Sequence, residues 1–291
     1  MTATEVRAET PVVTETSGVP PLTKSVRIAS IIQMCGAGLL IVLLFLEWVR
    51  GGRTGLEGNG GGGFGVLALL AALVVLYAAV QGLRGRRVET KLFGPNQLGI
   101  ALSLSVFTSN LVFLWVFTTG GAPKWVYVAS NVMVYSSILG LFSVRSEKPP
   151  PLPDQTIRGL GAATAALGLV IGAAPLLEYT KLSSISFTGY EPGAPRIGIL
   201  LLLIGALTVF YGVHRVIRGS RMTDLGPYAL WPHATMGLGV LATGPALAWV
   251  ISGLWGGDFD PGIGAFVNLI AGVALIGVGI FEAAKRAAKG V

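Results

Sequence analysis

Two glutamates and two asparagines are the residues of this 291-residue chain whose types and positions could support chemistry. Glu47 and Glu178 lie at the ends of two long apolar segments, and Asn131 and Asn268 lie inside two others. Ionisable residues in apolar membrane segments are functional candidates, because a charge is costly to bury in lipid. A carboxylate beside an amide could coordinate a cation or bind a polar head group. These four residues therefore form the candidate ligand or interaction site.

The same four residues also have a structural interpretation, which we favour. Arg50 follows Glu47 by three positions and Lys181 follows Glu178 by three, a spacing that allows an ion pair on a helix. Asparagine inside a membrane commonly hydrogen-bonds a neighbouring helix. Under this interpretation Glu47 and Glu178 are interfacial residues, and Asn131 and Asn268 join helices.

Patterns typical of catalysis or of metal binding are not found in the sequence. It contains no phosphate-binding loop with a Gly-Lys-Ser/Thr ending and no His-Glu-x-x-His metal motif. The single cysteine, Cys35, excludes an intramolecular disulfide and a thiolate zinc site. His214 and His233 flank the ends of two apolar segments, where an interfacial role is favoured over haem ligation. We therefore predict no catalytic residue, no metal site, no cofactor and no enzymatic activity.

The composition is that of a membrane protein. Hydrophobic residues make up 52% of the chain and charged residues only 12%, with 42 glycines. Soluble domains carry about 25% charged residues. The composition therefore argues against a soluble enzyme, a disordered chain and a nucleic-acid-binding protein.

Eight segments are long and apolar enough to cross a bilayer, which requires about 20 residues per helix. Glycine is frequent within them, as membrane helices tolerate. The predicted fold class is an all-α integral membrane protein with eight transmembrane helices. The segments are 27–49, 64–83, 97–118, 125–144, 158–179, 196–217, 230–254 and 262–284.

The distribution of basic residues predicts the orientation in the membrane. With the N-terminus inside, 16 of the 21 Lys and Arg residues fall in inner segments, as the positive-inside rule requires. We therefore predict a multi-pass protein of the inner or plasma membrane with both termini cytoplasmic and the lipid bilayer as its main partner. The tryptophans near outer span ends predict an aromatic belt at the interface: Trp48, Trp115, Trp125, Trp249 and Trp255.

The second half of the chain repeats features of the first at an offset of 131 to 137 residues. Each repeat has four spans, so the two copies share one orientation, as in parallel transporter repeats. The predicted organisation is a disordered cytoplasmic tail (1–24), a first four-span repeat (25–146), a Pro-rich inner linker (147–156) and a second repeat (157–291). The matches include Leu46-Glu47-Trp48 with Leu177-Glu178-Tyr179, Tyr77 with Tyr211, Gly94-Pro95 with Gly226-Pro227, Trp115-Val116 with Trp249-Val250, and Asn131 with Asn268.

The segment from Leu44 to Trp48, the Gly-rich loop after it and the apolar span that starts at Phe64-Gly65 resemble a bacterial pattern. The chain is similar to small, largely uncharacterised four-span membrane proteins of high-GC Gram-positive bacteria, here in duplicate. Such proteins are expected to have proline where Glu47 and Glu178 stand. The resemblance implies no activity and no functional residue.

Three functions are compatible with these features. We favour a non-enzymatic scaffold or accessory subunit of a membrane complex, with other membrane proteins as partners and no nucleic acid. The alternative is a channel or carrier for a small uncharged or lipidic solute, with a pathway between the two repeats. A membrane enzyme that acts on lipid is supported only by the two carboxylates at the outer rim.

Overall fold

The structure, a computed structural model, describes residues 24–49, 53–57, 62–84, 95–116, 122–143, 152–191, 197–219, 232–255 and 259–289. The described residues form eight α-helices, joined on one side by short strands. The helices are α1 (Lys24–Leu44), α2 (Gly62–Leu83), α3 (Pro95–Val116), α4 (Ala122–Ser143), α5 (Asp154–Ala173), α6 (Ile197–Arg218), α7 (Pro232–Leu254) and α8 (Ile263–Lys289).

Six of these helices are long and apolar enough to cross a membrane: Val26–Leu44, Gly62–Leu83, Asp154–Leu176, Ile197–Arg218, Ala234–Leu254 and Ile263–Arg286. The all-helical prediction is therefore confirmed, and six of the eight predicted segments form helices of sufficient length and apolar character to span a membrane. Helices α3 and α4 have 22 residues each, and Leu98–Asn110 is the apolar stretch of α3. Membrane crossing by these two helices stays a prediction.

Large apolar side chains point outward from the helices. On α6, for example, Leu203, Phe210 and Ile217 are exposed, whereas Thr208 and Arg215 on the same helix are buried. A water-soluble protein seldom exposes so much contiguous apolar surface. This distribution fits a helical bundle whose outer surface contacts lipid.

The helices of each half contact one another in a ring. Helix α1 packs against α2 and α4, and α3 closes the ring by packing against the same two helices. In the second half α5 packs against α6 and α8, and α7 contacts the same pair. The two halves meet where α7 packs against α2 and α3.

Within the described residues, five short strands lie between the helices. Strand β1 (Glu47–Val49) pairs with β2 (Arg53–Thr54), and β3 (Glu178–Leu182) pairs with β4 (Ile185–Thr188) and with β5 (Asp260–Pro261), all antiparallel. Because β1 and β3 occupy the predicted ends of spans 1 and 5, the helical assignment there is wrong.

The physical reasons for these early helix ends lie in the backbone. Helix α1 stops at Leu44, whose carbonyl accepts a hydrogen bond from the Gly55 N–H at 3.0 Å. Helix α5 gives way to a 3₁₀ turn (Ala174–Leu176) that contains Pro175, and proline has no N–H to continue a helix.

Two domain predictions fall partly on residues that are not described. Of the predicted disordered tail (1–24), only Lys24 is described, and it is the first residue of α1. The first half of the predicted linker (147–156), residues 147–151, also lies outside the described residues. Helix α5 begins inside that linker, at Asp154.

Some glycines provide close contacts between helices, and others in the same helix do not. On α7, a Cβ atom on Gly239 would lie 2.7 Å from the Ile276 backbone nitrogen and 2.9 Å from the Gly272 carbonyl oxygen of α8. A Cβ atom on Gly237, two residues earlier, would meet nothing within 4 Å. The two glycines therefore have different roles in the same helix.

Gly239→Ala is expected to lower the free energy of unfolding by about 1–3 kcal/mol, because the added methyl group forces α7 away from α8. Gly237→Ala, the matched control, should raise it by up to about 1 kcal/mol through helix propensity. Unfolding of both variants in lipid nanodiscs measures the difference. Equal effects at the two positions would contradict the assigned contact.

Candidate functional site

The two candidate glutamates occupy equivalent places in two short hairpins. Glu47 in β1 lies opposite Thr54 in β2, and Glu178 in β3 lies opposite Thr188 in β4. Both glutamate side chains are exposed, and the aromatic residue that follows each of them is buried. Each hairpin therefore presents one carboxylate, and both carboxylates lie at the end of the molecule where α2 and α6 begin.

A four-residue turn after each hairpin is also repeated. The Thr54 N–H donates to the Glu57 carboxylate at 3.1 Å, and the Thr188 N–H donates to the Glu191 carboxylate at 3.0 Å. The sequences of the turns are Thr54-Gly55-Leu56-Glu57 and Thr188-Gly189-Tyr190-Glu191. This match was missed in the sequence, although a search for Thr-Gly-x-Glu at the repeat offset would have found it.

The glycines of the two turns make equivalent contacts. The Gly55 N–H donates to the Leu44 carbonyl, and the Gly189 N–H donates to the Pro175 carbonyl at 2.8 Å. Each glycine also lies against a glycine at the start of the next helix, Gly65 in α2 and Gly198 in α6. A side chain at Gly65 or Gly198 would collide with the backbone of the turn.

The expected ion pair of Glu178 with Lys181 is wrong. Both residues lie in β3, where the chain advances about 3.3 Å per residue and helical spacing does not apply. The Glu178 carboxylate instead accepts a hydrogen bond from the Ser186 hydroxyl at 2.7 Å. Glu47 lies in a strand as well, and its predicted partner Arg50 lies outside the described residues.

The two candidate asparagines have different surroundings. Asn131 is partly buried and donates to the Tyr127 carbonyl of its own helix at 2.8 Å. Asn268 is fully buried in α8, next to the hydroxyl of Tyr179. Helix α4 contacts β1 and α8 contacts β3, so each half brings the asparagine-bearing helix to the glutamate-bearing strand.

Two of the predicted belt tryptophans are buried in the protein instead. The Trp48 indole donates to the Leu43 carbonyl at 2.8 Å. The Trp249 indole donates to the Thr180 hydroxyl at 3.1 Å, and its ring stacks on Phe259. Trp125 and Trp255 are exposed as an aromatic belt requires. The side chain of Trp115 lies outside the described residues.

A buried ionic cluster lies at the opposite end of the second half. The Glu282 carboxylate in α8 pairs with Arg215 of α6 at 2.7 Å and with Arg286 of α8 at 2.9 Å. Arg215 also donates to the Thr235 hydroxyl of α7 at 3.2 Å and lies over the Tyr211 ring. The cluster therefore joins three helices, and two guanidinium groups face one carboxylate.

The cluster combines a local contact with a long-range one. Glu282 pairs with Arg286, four residues later in the same helix, a spacing that places both side chains on one face. The Lys285 ammonium lies over the Phe281 ring, 4.8 Å from its centroid. The bond to Arg215 was missed, because 67 residues separate the partners and no local pattern links them.

In the described part of the chain, no group of three or more His, Cys, Asp or Glu residues is placed to hold a metal ion. The chain matches no protein-family model, no curated protein and no solved structure.

Proposed function

We propose that this chain is a non-enzymatic, multi-pass membrane protein that serves as a scaffold or accessory subunit of a membrane complex. The observation that carries the proposal is the backbone contact between neighbouring helices. Gly168 and Gly205 bring α5 against α6, and Gly239 brings α7 against α8. Small residues allow helix backbones to approach closely, and this is how neighbouring helices associate in membranes. This packing favours a fixed framework.

The contact between the two halves is equally close. A side chain at Gly63 of α2 would collide with the Ala248 carbonyl of α7, and Gly63 N–H donates to the Ser252 hydroxyl. Gly244 of α7 lies against Ser105 of α3, whose hydroxyl donates to the Val240 carbonyl at 3.3 Å. A solute pathway between the halves would have to open these contacts. The carrier function is therefore our second candidate.

We also propose that the chain is a parallel duplication with eight membrane spans. The support is the repeated hairpin, the repeated Thr-Gly-x-Glu turn and the same order of helix contacts in the two halves. Four spans per unit would place the axis between the units along the membrane normal. The similarity to bacterial four-span membrane proteins stays a prediction.

The proposed orientation has the hairpins outside and both termini in the cytoplasm. Helices α6 and α8 each begin next to the hairpin layer, so their final turns lie at the opposite end. The last two turns of these helices carry Arg215, Arg218, Lys285 and Arg286. A basic end favours the cytoplasmic side of an inner or plasma membrane.

The deciding experiment is purification from native membranes in nanodiscs, followed by mass spectrometry of the proteins that accompany the chain. Stoichiometric recovery of other membrane proteins is the result expected for a scaffold or subunit. Recovery of a lone monomer or homo-oligomer would favour the carrier instead.

The double variant Glu47→Gln with Glu178→Gln is expected to keep the wild-type unfolding midpoint and the same accompanying proteins. Both side chains are exposed, and glutamine at position 178 retains an oxygen that accepts from Ser186. Thermal unfolding and quantitative mass spectrometry of the same preparations measure the two properties. If partners are lost while the unfolding midpoint is kept, the hairpin carboxylates bind them and the predicted neutrality is wrong.

A further inference from the structure

The hairpin of the second half is longer than that of the first, and its turn is flanked by apolar residues. Both hairpins begin with a glutamate that lies opposite a threonine, but the first has eight residues (47–54) and the second eleven (178–188). The tip of the longer hairpin has the sequence Leu182-Ser183-Ser184-Ile185, whereas the shorter one has Arg50-Gly51-Gly52-Arg53 at the corresponding place. The second half has therefore gained an apolar tip that the repeat does not explain.

Near the helices, one face of the longer hairpin packs on the protein. Thr180 lies opposite Phe187 in the strand pair. Thr180 is buried, and its hydroxyl accepts a hydrogen bond from the Trp249 indole of α7. Residues opposite each other in an antiparallel pair share a face, as do residues two apart along a strand. Leu182 and Ile185, which pair with each other next to the turn, therefore lie on this same face.

At the tip, the described residues leave this face uncovered. The exposed fraction is 36% for Leu182 and 59% for Ile185. Ser183, the first residue of the turn between them, has a φ of 54°, and two-residue hairpin turns require a positive φ at that position. The turn therefore connects the strands directly at Leu182 and Ile185 and holds the two apolar side chains next to each other.

The opposite face of the hairpin is polar. Lys181 lies opposite Ser186, and both residues are exposed. The exposed Glu178 carboxylate lies on this side as well, because it accepts a hydrogen bond from the Ser186 hydroxyl. The hairpin is therefore amphipathic, with one side suited to water and the other side suited, at its tip, to an apolar environment.

The hairpin lies where the surface of a membrane is expected. The apolar segment Asp154–Leu176 has 23 residues. At about 1.5 Å per residue it is about 35 Å long, enough to cross a hydrocarbon core of about 30 Å. Leu176 and Leu177 are exposed, and Glu178, the first residue of β3, follows them directly. The exposed apolar surface of α5 therefore continues up to the start of the hairpin.

We propose that the tip of this hairpin, with Leu182 and Ile185, inserts into the interfacial layer of the lipid bilayer beside α5. The inference rests on the membrane location of the proposed function. A lipid surface fits the tip better than a partner protein does, because a stable protein interface buries about 800 Å² on each partner, far more than two side chains provide. The tip also continues an apolar surface that faces lipid. The hairpin thereby attaches the end of the second half to the bilayer.

Quenching of a polarity-sensitive fluorophore on single cysteines tests the proposal with the full chain in phosphatidylcholine nanodiscs. Cys35→Ala removes the native thiol, and the probe is attached to Ile185→Cys, Lys181→Cys or Leu203→Cys. A nitroxide carried by the lipid should quench the probe at position 185 several-fold more than the probe at position 181, and aqueous iodide should quench it several-fold less. Leu203, which is exposed on α6, reports the surface that faces lipid.

Three results would overturn the proposal, and each has a different meaning. Iodide quenching at position 185 that equals the quenching at position 181 would place the tip in water. Protection of position 185 from both quenchers would show that protein covers the tip. Strong iodide quenching at position 203 would contradict the membrane location itself, so failure of the proposed function is distinguished from failure of this inference.

A double variant tests whether the two apolar side chains cause the insertion. A probe on Ser184→Cys, in the turn, should be quenched by the lipid nitroxide when the tip is otherwise unchanged. Adding Leu182→Ser with Ile185→Ser should lower that quenching several-fold and raise quenching by iodide. The unfolding midpoint should be retained, since both side chains are exposed. Lipid quenching that is the same with and without the two substitutions would overturn the proposal.

Discussion

Glu282→Leu is expected to lower the free energy of unfolding by about 3–5 kcal/mol, because it leaves two buried guanidinium groups without their carboxylate. Arg215 and Arg286 are at most 5% exposed, and both bond Glu282. Helix α8 would lose its ionic contact with α6. Unfolding in nanodiscs, followed by steric trapping, measures the loss.

Two further variants test whether the loss of stability comes from the unpaired buried charges and not from altered packing. Arg158→Gln removes the pair with Asp154, in which both side chains are about half exposed, and should change stability by less than about 1 kcal/mol. The triple variant Arg215→Met, Glu282→Leu and Arg286→Met should recover much of the loss, because an apolar replacement avoids unpaired charge. A triple variant that is no more stable than Glu282→Leu would contradict the assigned cause.

Gly205→Leu is expected to lower the free energy of unfolding by about 3 kcal/mol or more, since overpacking here meets backbone atoms that cannot rotate away. A Cβ atom on Gly205 would lie 2.7 Å from the Gly168 carbonyl oxygen and 2.7 Å from the Gly172 nitrogen. The two helices must therefore separate along their shared face. The unfolding midpoint in detergent and in nanodiscs measures the effect.

The matched control is Gly159→Leu on α5, where a Cβ atom would meet nothing within 4 Å. This variant should retain wild-type stability or exceed it slightly, because leucine favours the helix more than glycine does. A comparable loss in both variants would show that the glycine contact between α5 and α6 is not the cause.

The helices were predictable because apolar length is a local property. Helices α2, α3, α4, α6 and α7 begin and end within three residues of their predicted bounds. Helix α8 continues to Lys289, five residues beyond its predicted end at 284. Helices α1 and α5 end earlier than predicted. Residues 45–49 and 177–179 were assigned to the ends of these spans, but β1 and β3 pair with strands that come later in the chain.

The sequence indicated which residues of the candidate site match between the two halves, but not which groups each of them contacts. Glu47 and Glu178 are equivalent in the structure as they are in the sequence, since both lie opposite a threonine in a hairpin. Asn131 and Asn268 match in the sequence but differ in their surroundings. A single side chain's partner depends on neighbours that the repeat does not preserve.

The glycines show the same division between local and non-local information. Gly237 and Gly239 are two residues apart in the same helix, but only Gly239 faces another helix closely. The rotation of a helix about its axis decides which of two nearby glycines faces a partner. That rotation depends on how the helix packs against all of its neighbours. A glycine-rich stretch of sequence therefore does not reveal it.

The sequence by itself determined the class of this protein: apolar helices of membrane-spanning length, few charges, and a second half that repeats features of the first. Apolar length and charge content are local properties of the sequence, and a repeat is found by comparing two stretches of it. None of these requires knowledge of the fold. Only the tertiary structure decided the contact of Arg215 with Glu282, the hairpins at Glu47 and Glu178, and the position of Asn268 beside Tyr179. These contacts join residues that are distant in the chain, and they form because a packed interior must bring its buried polar groups to one another.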